Sequence, residues 1–195
     1  MLNHWKNNEL FGENWFTFTK FYSEVAREIP EGSTIVEVGA WKGRSAAFLA
    51  EEFMKLNKKV TFYVVDIWEG DVSKSSKLVN DADGNVTHNS KSINLYELFL
   101  SNLKPFEKYY FPLKLKSVDA SKRFENGSLD FVFIDGSHEY EDVYEDILHW
   151  KPKVKSGGIL AGHDYTEWFP GVTRAVDEQI SKFTTRECCW VSRIP

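Results

Sequence analysis

Apolar residues recur along the chain with two periods, of about 3.6 and about two residues, and their alternation predicts an α/β protein. Over residues 14–29, Phe18, Phe21, Tyr22, Val25 and Ile29 share one helical face, and Pro30-Glu31-Gly32-Ser33 ends the pattern. Thr34-Ile35-Val36-Glu37-Val38 is a β-branched run of the buried-strand type. A turn bounded by Gly39 and Gly43 leads into a helix over 45–56 that carries Leu49, Ala50 and Phe53 inward. The next strand spans 60–65 and stops at Asp66. Strand, turn, helix and strand in that order predict parallel neighbours joined by a right-handed crossover. The same reading gives a helix over 94–103, a strand over 112–116, the most apolar strand over 129–134 and a helix over 140–150. A strand at 158–161, a helix over 172–183 and a closing strand over 188–194 complete the order. With no internal repeat and no linker, residues 1–195 read as one domain.

One stretch breaks the alternation. Residues 69–92, EGDVSKSSKLVNDADGNVTHNSKS, are polar, rich in Gly, Ser, Asn and Asp, and nearly free of large apolar side chains. Inside a compact domain such a loop is either a lid over a site or disordered. Composition narrows the partners. A chain of 195 residues, 42% hydrophobic and 27% charged, can bury one sizeable core. Its formal net charge of −5 argues against nucleic acid or an anionic membrane as an obligatory partner. No apolar run approaches the ~20 residues of a membrane span, and MLNHWKNNELFGENW lacks the basic-then-apolar layout of a signal peptide. Cys188 and Cys189 are adjacent, which suits neither a disulfide nor a zinc site, and a cytoplasmic location is expected.

Chemistry gathers at the strand ends. Glu37, Asp66, Asp119, Asp135 and the pair His163-Asp164 all fall at or just after the carboxyl ends of predicted strands, where open parallel sheets bind ligands. Any one of them could cap a helix or turn. Five such positions on one edge point to a ligand site, because a carboxylate at a buried strand end is costly without a partner. The first turn, VEVGAWKGRS, puts Trp41 where a dinucleotide turn needs glycine, and Gly43 is followed by Arg44 and Ser45 rather than Lys and Ser/Thr. The turn suits a ligand without phosphates.

VEVGAWKGRSAAFLA resembles motif I of class I S-adenosylmethionine-dependent methyltransferases, FYVVDIWEG motif II and KLKSVDAS motif III. DFVFIDGSHEYEDVYEDILHWKPKVKSGGILAGHDY resembles motif IV and the segment after it. The resemblance covers about residues 34–180 and is greatest to the family that includes macrocin O-methyltransferase and the cephalosporin-hydroxylase-like proteins. It implies a three-layer Rossmann-like fold with a mostly parallel central sheet and helices on both faces. It also implies S-adenosylmethionine as cofactor. Asp66 would accept both ribose hydroxyls, and Asp119, with Val118, would read the adenine edge. Trp68 would pack on the adenine ring or else belong to the core. Gly39 would let the main chain approach the donor, with Gly43, Ser45 and Asp135 completing its site. Glu37 would order the loop rather than perform chemistry, and would reach the methionine end of the donor through water.

On the acceptor side the resemblance implies a metal site of Asp135, His163 and Asp164, with Mg²⁺ or Mn²⁺ holding the acceptor oxygens. His163 stands where a carboxylate is usual. Imidazole is the softer ligand and tilts the set toward Mn²⁺, Fe²⁺ or Zn²⁺; the alternative is a hydrogen-bonded histidine and no metal. His138, three residues after Asp135, corresponds to the family's general base, and a near-neutral pKa suits proton removal from a hydroxyl. The catalytic pair expected is His138 and Asp135. The expected reaction is methyl transfer to a hydroxyl of a small molecule or sugar, without nucleic acid or membrane and with a homo-oligomer left open. A non-catalytic binding module and a non-haem iron oxygenase using His138, His163 and one aspartate are the alternatives. The acceptor pocket is expected from residues 1–20 and 69–92, where the resemblance ends.

Overall fold

The computed structural model describes residues 3–69 and 94–195, so the segment read as a lid lies outside the described residues except for Glu69. The strands are β1 (Thr34–Val38), β2 (Thr61–Asp66), β3 (Phe111–Lys114), β4 (Leu129–Ile134), β5 (Val154–Gly162), β6 (Thr184–Arg186) and β7 (Cys189–Arg193). They hydrogen-bond in the order β3-β2-β1-β4-β5-β7-β6. β1 to β5 run parallel, and β7 is antiparallel to both β5 and β6. The order reverses between β1 and β4, which opens the crevice where such sheets bind ligands. The helices are α1 (Asn8–Phe11), α2 (Thr19–Glu28), α3 (Arg44–Lys55), α4 (Leu95–Leu103), α5 (Ser117–Ser121), α6 (Tyr140–Trp150) and α7 (Pro170–Gln179). This is the three-layer Rossmann-like arrangement expected from the sequence.

Strand side chains alternate between faces, so each inner strand feeds two cores. Ile35 of β1 and Phe131 and Phe133 of β4 join one cluster, while Val36, Val38, Val132 and Ile134 join the other. The first core is aromatic. The rings of Phe18 and Tyr22 lie 4.8 and 4.9 Å from that of Phe133, centroid to centroid, within the range of favourable aromatic pairs. The second is largely aliphatic around Trp150, whose indole N–H donates to Ser117 Oγ at 2.8 Å. Among the described residues no helix is long and apolar enough to cross a membrane.

Several elements depart from the periodicity reading, and three of them show why. The helix expected over 14–29 begins at Thr19, because Phe16 and Phe18 are both buried two residues apart. One face of a helix cannot present that spacing, and the extended chain does. The last helix starts at Pro170, a residue favoured at a helix start, and ends at Gln179 instead of running to 183. β6 went unseen because all three of its residues are exposed and carry no apolar alternation.

Candidate active site

The edge of β1 and β2 holds the residues of the first two motifs. Asp66 Oδ2 accepts the backbone N–H groups of Ala40 and Trp41 at 2.8 and 2.9 Å, and Oδ1 accepts that of Trp68 at 2.8 Å. Trp41 and Trp68 both have positive φ, 50° and 40°, so this carboxylate pins two turns in conformations that bulky residues seldom adopt. Three of its roughly four acceptor positions are thereby in use. Gly39, at φ 84°, is required by packing: a Cβ there would stand 2.0 Å from the Asp135 carbonyl oxygen. Gly43, at φ 88°, is required in the same way by Leu103 of α4, 2.2 Å from its would-be Cβ. Trp68 is in the core, its ring 4.9 and 4.5 Å from Tyr96 and Phe99 and its indole N–H on Trp41 O.

Glu37 is fully enclosed on the aromatic face, where Ser45 Oγ donates to Oε1 and the Tyr22 hydroxyl is a close polar neighbour. Desolvation pushes its carboxyl up to about 8; the Ser45 hydrogen bond opposes the shift, and the charges of Asp135 and Asp66 add to it. Asp119 lies in the single turn of α5 with an exposed carboxylate paired to Lys122 at 2.8 Å, and Val118 beside it is half-buried. The structure does not bring Asp119 into contact with the other donor-side residues among those described.

At the edge of β4 and β5 the arrangement is different. Ile134 pairs with Gly162, so Asp135 and His163 follow one residue later, side by side. Asp164 takes a left-handed φ of 59°, which aspartate tolerates, and turns back toward both. His163 Nδ1 lies 3.1 Å from Asp164 Oδ1 and 3.5 Å from Asp135 Oδ1, and His138 Nε2 lies 2.7 Å from Asp164 Oδ2. One donor atom each from Asp135, His163 and Asp164 falls within 4.8 Å of the others. These residues and Trp190 border a cavity of about 10 Å³, room for one water-sized sphere. Burial opposes charge on His163, but its hydrogen bonds to Asp135 and Asp164 win and push the imidazole up to about 10. Asp164, despite burial, is held below the usual carboxylate range by His138 and His163. His138 is raised above its ordinary value by the bond to Asp164, and Phe169 stacks on its ring at 4.2 Å.

A family model described as a methyltransferase domain matches residues 36–165, about two-thirds of the chain. The chain belongs to the methyltransferase-domain family. The family implies S-adenosylmethionine as methyl donor. The chain is 24% identical over 152 residues to an uncharacterised protein of Acanthamoeba polyphaga mimivirus, covering 76% of this chain and 59% of that protein's length. Its fold is similar to that of the O-methyltransferase NovP, with TM-score 0.65 and 18% identity over 92% of this chain and 80% of NovP. It is also similar to a TDP-rhamnose 3′-O-methyltransferase of calicheamicin biosynthesis, with TM-score 0.58 and 12% identity over 90% of this chain and 76% of that one.

Several residues of the chain carry roles that the sequence did not signal. Arg44, buried between the first turn and the N-terminal segment, donates to Trp5 O, Asn8 Oδ1 and Gly12 O and so fastens that segment to α3. Glu51 accepts the Asn3 and His4 N–H groups from the same helix. Thr17 Oγ1 lies 3.0 Å from His163 Nε2, a contact across 146 positions that no local pattern could announce. Trp15 and Trp168, 53% and 79% exposed, sit close in sequence to Thr17 and to the Asp164 turn. The iron-oxygenase alternative needs His138 and His163 to converge with one carboxylate, but His138 bonds Asp164 and the converging donors are one imidazole and two carboxylates.

Proposed function

We propose that this methyltransferase transfers the methyl group of S-adenosylmethionine to a hydroxyl oxygen of a small molecule or sugar, with His138 as general base. The observation that carries this reading is the His138–Asp164 pair at 2.7 Å, beside Asp135 and His163 at the carboxyl ends of β4 and β5, next to the switch point between β1 and β4. Because Nε2 is engaged by Asp164, the other ring nitrogen is left to take the hydroxyl proton, and the carboxylate stabilises the imidazolium that forms. S-adenosylmethionine, when bound, would supply the methyl group for an in-line displacement, while His138 would hold the proton taken from the acceptor hydroxyl. Most of the acceleration in such a displacement comes from positioning. The exposed faces of Trp15 and Trp168 are suited to a ring-shaped acceptor. The sugar methyltransferase with a similar fold supports a sugar among the candidates.

Asp135, His163 and Asp164 would hold a divalent ion. Two carboxylate oxygens and one imidazole nitrogen converging within 4.8 Å fit Mn²⁺ or Mg²⁺, and a cation there would neutralise both carboxylates. Bound there, it would lower the pKa of an acceptor hydroxyl.

Purified protein should bind S-adenosylhomocysteine in calorimetry and methylate a hydroxylated acceptor from a panel of sugars and phenols with labelled donor. Mn²⁺ or Mg²⁺ should raise activity or thermal stability, chelator should reverse the gain, and Asp135→Ala or Asp164→Ala should abolish the response. A protein that binds donor but labels no acceptor would be a binding module. Full activity and stability in chelator would remove the metal and leave His138 acting alone.

A further inference from the structure

We infer that Thr17 is a positioning residue for His163, and that through it the N-terminal segment decides which imidazole nitrogen faces the acceptor-side carboxylates; this rests on the cation reading above. Three contacts fix the ring. The Thr17 hydroxyl stands 3.0 Å from Nε2, Nδ1 faces Asp164 and Asp135 at 3.1 and 3.5 Å, and the Phe18 ring packs 4.6 Å away, centroid to centroid. Phe18 is itself 1% exposed and set among Phe16, Tyr22 and Phe133, so the backbone that carries Thr17 is anchored in the aromatic core. Thr17 lies before residues 36–165, the part that matches the family model.

The chemistry follows from the two nitrogens of an imidazole. A hydroxyl that accepts from Nε2–H keeps one proton on that nitrogen, which leaves Nδ1 as the atom directed at the carboxylates and available to a cation. Without an acceptor at position 17 the ring loses one of the three contacts that fix it, while the carboxylates stay where the β4–β5 register puts them. Valine keeps the shape of threonine and removes the acceptor. Serine keeps the acceptor and removes the methyl group.

The test is a Mn²⁺ titration followed by electron paramagnetic resonance on the full chain, its Thr17→Val form and its Thr17→Ser form. S-adenosylhomocysteine calorimetry and thermal melting are run on all three. Thr17→Val should weaken Mn²⁺ binding by about tenfold or more, Thr17→Ser should stay near wild type, and donor affinity should be unchanged in both. Equal Mn²⁺ affinity in wild type and Thr17→Val would overturn the inference. So would a Thr17→Ser form as weak as Thr17→Val, because packing rather than the hydroxyl would then be responsible. A wild-type protein that binds S-adenosylhomocysteine but no Mn²⁺ would remove the cation reading, and this inference with it, before any variant is compared.

Discussion

At the edge of β1 and β2, Asp66 accepts three backbone N–H groups, Gly39 and Gly43 admit close neighbours, and Trp68 packs between Tyr96 and Phe99. At the edge of β4 and β5, Asp135, His138, His163 and Asp164 bond chiefly to one another. The first group uses its polar and glycine positions to hold the main chain in unusual turns. The second uses the main chain to bring charges together. Motif residues of one fold can thus serve two ends: shaping a backbone, or bringing charged side chains together.

Removing the base should have the largest effect if that division holds. His138→Ala is expected to slow methyl transfer by about 10²–10⁴-fold with S-adenosylhomocysteine affinity unchanged, measured by rate assay and calorimetry together. A parallel loss of donor binding would merge the two regions. Gly39→Ala attacks a point where they touch, since its new methyl group would meet the Asp135 carbonyl. Overpacking and the left-handed φ together should cost about 3 kcal/mol or more in urea denaturation. Gly32→Ala, at φ 81° with nothing within 4 Å, isolates the backbone part and should cost about 1–2 kcal/mol. Equal losses would mean the contact with Asp135 yields freely.

Asp66→Ala should weaken S-adenosylhomocysteine binding by about 2 kcal/mol and lower the melting temperature as well, because Ala40, Trp41 and Trp68 lose their acceptor. Mn²⁺ binding should survive. A variant that loses donor but melts like wild type would show that the carboxylate acts on ligand alone.

The smallest effect is a pH slope. Glu37 rises from 4.5 to about 8 on folding, so the stability linked to it is present below pH 4.5 and is lost as pH climbs through 8. His163 rises from 6.5 to about 10 and adds a second decline over that higher window. Glu37→Gln should flatten the melting curve between pH 5 and 8 by a few degrees and leave the decline above pH 8 in place. A slope unchanged by Glu37→Gln would mean the carboxyl finds a partner inside the core.

The order of the main strands and helices was legible because each has enough apolar positions to declare its period, as Thr34–Val38 and Leu129–Ile134 do. β6 and α5 bury too few apolar side chains to leave that trace. The candidate carboxylates were legible for a related reason: an acid at the end of an apolar strand is out of place unless something uses it. Their partners were not. That Asp135 stands beside His163 follows from the register of β4 on β5, and that Thr17 reaches His163 follows from Phe18 seating in the aromatic core. Such contacts join residues far apart along the chain, and a residue's neighbours in sequence carry no record of them. Local periodicity comes from the chain's own geometry, whereas the convergence of charges comes from which strands lie side by side, and packing of the whole sheet settles that.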